Sequence, residues 1–235
     1  MTKIIDNFNY IYEIIDKIND ELMKKWKIKS KEDVYNYEYF IQIMKRTKDL
    51  DKNSQDKSKV ILNLYCTGID WIKKREELIK LVCDKYKPAR AYIRLQPKNK
   101  EKIIYKLIST SSQLLYEKKY NWWNKRISAK SLLNTVYWKY GNDLDIYIVD
   151  IDFIQWSEDR KKEELLKEIL KLYKDTLPKE KILYWILKTF NGYHIISSWF
   201  NLHMFDNNIK EIQKNDLIED ISVKKNNPTL LYWVL

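Results

Sequence analysis

The chain has 235 residues, 45% of them hydrophobic, 33% charged and 14% aromatic, with only 3 Gly, 4 Pro and 2 Cys. This is enough apolar chain for one large domain or two small ones, and it excludes collagen-like, low-complexity and disulfide-rich classes. The net charge of +11 is uneven: residues 1–140 carry 31 bases against 17 acids, whereas 141–235 carry 13 against 16. No run of about 18 apolar residues is present, so no membrane span is expected. Acids interrupt the apolar start MTKIIDNFNYIYEIIDK, which argues against a secretory leader. Cys66 and Cys83, with His194 and His203, offer no zinc-ligand spacing. A reduced, cytoplasmic setting is the expectation.

In chain order, residues 3–27 show apolar residues at helical spacing (Ile4, Ile5, Phe8, Ile11, Ile15, Ile18, Leu22). Ser30 followed by Asp33 resembles a helix start and predicts a second helix to about Lys48. Asp49–Lys59 reads as a polar loop, Val60–Tyr65 as a strand, Ile69–Tyr86 as a helix, and Ala89–Gln96 as a strand. Residues 99–119 and 129–140 read as helices. Leu144–Asp152 (LDIYIVDID) is a β-branched run, and Arg160–Leu177 is an amphipathic helix ended by Pro178. Asn191-Gly192 between two apolar runs predicts a type I′ hairpin that sets Thr189 opposite His194, with Lys188 on the other face. A short helix near Leu202–Gln213 and strands at Ile221–Lys224 and Thr229–Val234 complete an α+β pattern. Three regions follow: 1–57 helical, 58–140 basic αβ, and 141–235 strand-rich, with 58–235 read as one core.

Residues 85–139 hold 14 bases and only two acids, Glu101 and Glu117, interleaved with Tyr and Trp rings. Such interleaving suits a phosphate backbone with unstacked bases, or else rings that serve a core in a lysine-rich chain. Arg90, Arg94 and Lys98 alternate along one strand and its exit, where they suit template or triphosphate, or a solvated edge. Lys98, Lys100, Trp122, Trp123, Lys125 and Arg126 are the candidates for nucleic-acid contact.

Asp150 and Asp152 close the apolar strand LDIYIVDID. Side chains two apart on a strand share a face, so these carboxylates can converge on a hard divalent cation such as Mg²⁺ or Mn²⁺. Two buried carboxylates without one would be costly, whereas in a solvated turn they would do nothing.

Together, Asp150-Ile151-Asp152, the crossover helix and the hairpin segment Lys188-Thr189-Phe190-Asn191-Gly192-Tyr193-His194-Ile195-Ile196 resemble the archaeo-eukaryotic primase superfamily, including the primase-polymerases of phages and plasmids. The following Ser198-Trp199-Phe200-Asn201 is similar as well, and the resemblance covers roughly residues 58–235. It implies a helical N-terminal region before a primase-like core, in which an RRM-like mixed or antiparallel sheet packs beside a smaller αβ unit. It also implies that Asp150 and Asp152 bind metal and that His194, with Thr189 and Lys188, meets the nucleotide's phosphates. The superfamily's third acidic motif is not matched plainly: Lys225 or Asn226 aligns there, and Asp220 supplies the carboxylate if it lies on the incoming strand. Lys224 and Lys225 then read as phosphate contacts or exposed lysines.

The implied activity is primer synthesis or extension on a single-stranded DNA template from nucleoside triphosphates, with a separate helicase for unwinding. A catalytically inactive, single-strand-binding replication accessory is the alternative. A metal-dependent nuclease ranks third.

Overall fold

The computed structural model describes residues 4–25, 27–30, 32–47, 58–116, 129–154 and 158–234. The opening segment, expected as helix from residue 3, begins instead as the short strand β1 (Ile4–Asp6), which pairs with the C-terminal strand Pro228–Val234, and only then becomes helix α1 (Phe8–Lys24). Phe8, Ile11, Ile15, Ile18 and Leu22 of α1 are all buried.

The next segment differs from its sequence expectation. Asp33 does cap a turn, its Oδ2 accepting from the backbone N–H groups of Lys29 and Ser30 at 2.8 and 2.9 Å. That turn is only the 3₁₀ piece Glu32–Asn36, and strand β2 (Tyr37–Lys45) follows where helix was predicted. The reason is the two-residue alternation Tyr37, Tyr39, Ile41, Ile43, which sets these four buried side chains on one face and outweighs the capping signal. The described residues of the N-terminal stretch 1–57 therefore form one α-helix, a 3₁₀ turn and two strands where a helical region was expected.

The remaining elements are β3 (Lys59–Thr67), α2 (Gly68–Lys85), β4 (Arg90–Asn99), α3 (Lys100–Tyr116), α4 (Ala129–Lys139), β5 (Tyr147–Phe153), α5 (Asp159–Asp175), β6 (Leu183–Lys188), β7 (Gly192–Ser197), α6 (Leu202–Ile209), β8 (Ile218–Lys225) and β9 (Pro228–Val234). The class is α+β with two antiparallel sheets. The first has the order β1-β9-β4-β2-β3 and the second β6-β7-β5-β8. Among the described residues no helix is long and apolar enough to cross a membrane.

Two cores hold the sheets. One face of the first sheet (Tyr39, Ile41, Ile43, Ala91, Ile93, Leu231) packs on α1 and α2, and this core continues into Ile148, Leu187 and Ile196 of the second sheet. The other face of the second sheet (Val149, Ile151, Phe153, Ile195, Ile221) packs on Leu165, Ile169 and Tyr173 of α5 and Phe205 and Ile209 of α6. Strand β5 is thus covered on both sides, which explains its near-continuous apolar run.

The chain leaves the second sheet for the first at Asn226, whose φ of 55° lies in the left-handed region that Asn tolerates. Its backbone N–H donates to Ile146 O at 2.7 Å, and its Oδ1 accepts from Ile146 N at 2.9 Å. Asn226 is therefore a corner residue.

Candidate active-site cleft

On β5 the residues Ile148, Asp150 and Asp152 share the face turned toward the first sheet. Ile148 is buried in the shared core, while Asp150 and Asp152 line a cleft of about 400 Å³ at the other end of the face. Register brings the partners together. Asp150 lies opposite His194 on β7 and Ser222 on β8, and Asp152 lies opposite Gly192 and Asp220. Gly192 is required by close approach: a Cβ there would overlap the Ile151 carbonyl. The type I′ turn is not formed, since Gly192 has no positive φ. Lys188 pairs with Tyr193 and Leu187 with His194, a register two residues from the predicted one. Thr189 instead sits in the loop, where its Oγ1 accepts from Gly192 N at 3.1 Å.

The ionic centre is tight. Asp150 Oδ1 lies 3.0 Å from His194 Nε2, and Oδ2 accepts from Lys224 Nζ at 2.6 Å. Burial pushes the Asp150 carboxyl toward the protonated form, but the His194 imidazole and the Lys224 ammonium outweigh it and hold the group well below the usual carboxylate range. His194 Nδ1 lies 2.7 Å from Thr229 Oγ1 on β9. Because a carboxylate only accepts, Nε2 carries a proton, and a neutral ring then accepts from the Thr229 hydroxyl through Nδ1. Thr229 is fully buried, so it orients the ring and is not a nucleophile. His194 consequently ties the two sheets together.

The opposite wall belongs to the first sheet: Gln42, Met44, Arg46, Arg90 and Tyr92, with Pro228 and Leu230 of β9. Arg90 lies 3.6 Å over the Trp233 ring, which packs against Phe190 at 4.8 Å. Arg46 donates to the Tyr92 hydroxyl at 3.2 Å. Acidic and basic strand ends therefore face each other across a space of the size that holds a small ligand.

Of the residues expected from sequence, Asp150, Asp152, His194, Thr189, Lys224 and Arg90 line this one cleft. Asp220 is exposed on β8, on the same sheet face as Asp152. Lys225 points elsewhere and pairs with Asp145 at 2.7 Å, and Lys188 lies on the face opposite His194. Arg94 stacks on Trp138 at 4.2 Å and donates to Asn226 O at 3.4 Å.

Lys98 is buried, donating to Trp138 O and Tyr140 O at 3.4 Å and to the Asn142 side chain, and so it ties down the end of α4. Burial and the Arg94 charge push its ammonium down to about 8. Lys100 begins α3 near Glu38. Trp122, Trp123, Lys125 and Arg126 lie outside the described residues. Much of the cation–ring interleaving in β4 and α4 is thus spent inside the protein, on Phe40, Tyr137 and Trp138.

Gln42, Met44, Arg46, Tyr92 and Thr229 are site residues that sequence reasoning missed. The first three fall in the segment read as helix. Thr229 carried one signal, a hydroxyl in the otherwise apolar run PTLLYWV.

For a divalent cation the donor chemistry fits in kind, since Asp150, Asp152 and Asp220 offer hard carboxylate oxygens. Like charges directly opposite on adjacent strands, as at Asp152 and Asp220, are destabilising unless compensated. Among the described residues, however, no group of three or more His, Cys, Asp or Glu side chains is gathered as a metal site. No family model, curated protein or solved structure matches the chain.

Proposed function

We propose that the chain is a primase-type nucleotidyltransferase that makes or extends short primers on single-stranded DNA from nucleoside triphosphates. The observation that carries this reading is the meeting of Asp150, Asp152, His194 and Lys224 in one cleft, facing Arg46, Arg90 and Tyr92. The second sheet supports it: the element order β5-α5-β6-β7-α6-β8 with strand order β6-β7-β5-β8 is that of an RRM-like, split-βαβ sheet.

In this reading His194 and Lys224 hold the triphosphate, with Arg90 as a further cationic contact fixed by its stacking on Trp233. Thr229 holds the His194 ring with Nε2 toward the reacting side of the cleft. Tyr92 and Met44 give the first-sheet wall flat, apolar surface for a base or sugar. Asp150 and Asp152, with Asp220, would hold Mg²⁺ or Mn²⁺, which when bound activates the attacking hydroxyl and stabilises the leaving oxygen. The template is single-stranded DNA.

A second reading, a single-strand-binding accessory without catalysis, is favoured by one observation: both Asp150 oxygens are already occupied by His194 and Lys224. The test is incorporation of labelled nucleotide on a single-stranded template with Mn²⁺. The primase reading expects incorporation that Asp150→Ala abolishes while DNA binding persists. DNA binding without any incorporation by the wild type transfers the assignment to the accessory, and degradation of the template transfers it to a nuclease.

A further inference from the structure

Both oxygens of Asp150 are already engaged by the protein itself. His194 Nε2 is 3.0 Å from one oxygen and Lys224 Nζ is 2.6 Å from the other, at a carboxylate whose side chain is only 17% exposed. The two partners are not held alike. His194 is fixed on its far side by the buried Thr229 hydroxyl. Lys224 has a flexible four-carbon stem, its side chain is 40% exposed, and Asp150 is its acceptor. It is the group that can leave.

We propose that the Lys224 ammonium is a built-in occupant of the cation seat at Asp150, so that a divalent cation and a phosphate-like anion bind the cleft cooperatively. This rests on the reading of Asp150 and Asp152 as cation-binding acids.

The argument is one of charge balance. A divalent ion and an ammonium cannot both sit on the same carboxylate oxygen without strong repulsion, so the cation must displace Lys224. Displacing Lys224 alone leaves an ammonium without its partner, which opposes binding of the metal by itself. An anion alone must draw Lys224 away from Asp150 and leave that partly buried carboxylate under-compensated, which is also costly. When both arrive, Lys224 turns to the anion and the metal takes its place on Asp150. No charge is then stranded. Such coupling is reciprocal and falls in the range of about 5–150-fold.

The experiment measures Mn²⁺ binding to the full chain by loss of the free-ion electron paramagnetic resonance signal. It is run with and without sodium sulfate as the anion, at constant ionic strength. The wild type should bind Mn²⁺ about tenfold or more tightly with sulfate than without. Lys224→Met should bind Mn²⁺ about tenfold more tightly than the wild type without sulfate, and gain little when sulfate is added. Lys224→Ala should repeat this, and Lys167→Met on the exposed face of α5 should match the wild type. Wild-type affinity indifferent to sulfate, or Lys224 variants no tighter than the wild type, overturns the proposal and leaves the acids standing as a cation site. Absence of Mn²⁺ binding in every protein and condition overturns that reading as well.

Discussion

The inner face of the second sheet has two halves built from the same strands. At one end Ile148 and Ile196 are buried in the core shared with the first sheet; two residues along β5, Asp150 and its partners border an open cleft. The difference lies in what faces them. The apolar half meets side chains of the first sheet and its helices, where an unpaired charge would be ruinous. The ionic half meets the interior strands β2 and β4 of the first sheet, where Gln42, Met44, Arg46 and Arg90 line an open cleft. Buried core and open cleft are thus separated by one pleat of one strand.

That separation can be broken by mutation. The largest effect is expected at the apolar end, where Ile196→Ala should cost about 2–5 kcal/mol by chemical denaturation with nucleotide affinity retained. At the ionic end, Asp150→Asn should cost about 1.5–3 kcal/mol near neutral pH, because it removes hydrogen bonds to charged groups, and should remove activity altogether. The same site sharpens the comparison through pH. Asp150 is held below its ordinary value of 3.8, so the unfolded chain takes up a proton at higher pH than the folded one. Its stabilising contribution is complete well above that value and is lost as pH falls through and below it; Asp150→Asn should flatten the acid limb of a stability–pH profile. The smallest effect is at the link between the sheets. Thr229→Val should cost about 1 kcal/mol and weaken nucleotide binding, with Thr229→Ser restoring most of both.

How far the sequence foretold this depends on whether local pattern or tertiary contact decides each element. β5 was legible because its β-branched run is covered on both faces, and the helices Phe8–Lys24 and Asp159–Asp175 because their apolar stripes are clear. The meeting of the Asp150–Asp152 pair with His194 was legible as a shared location, since register brings Asp150 directly opposite His194. β2 was misread because a genuine capping contact, Asp33 reaching back to the Lys29 and Ser30 N–H groups, came just before a period-two strand. The hairpin register was missed because Gly192 serves the close approach of β7 to β5, a tertiary demand that the turn signal cannot report. Thr229 and the Gln42–Arg46 wall come from strands far from β5 in sequence. Their roles exist only once the two sheets meet.

The central claim, that the space between the two sheets is a nucleotide site, is tested most directly at Met44, the methionine on the wall facing Asp150. With methyl-labelled methionine, a nucleoside triphosphate with Mg²⁺ should shift the Met44 resonance, leave Met23 and Met204 in place, and lose its effect on Met44 in Lys224→Ala. A Met44 signal that stays fixed at saturating nucleotide would contradict the assignment of the cleft.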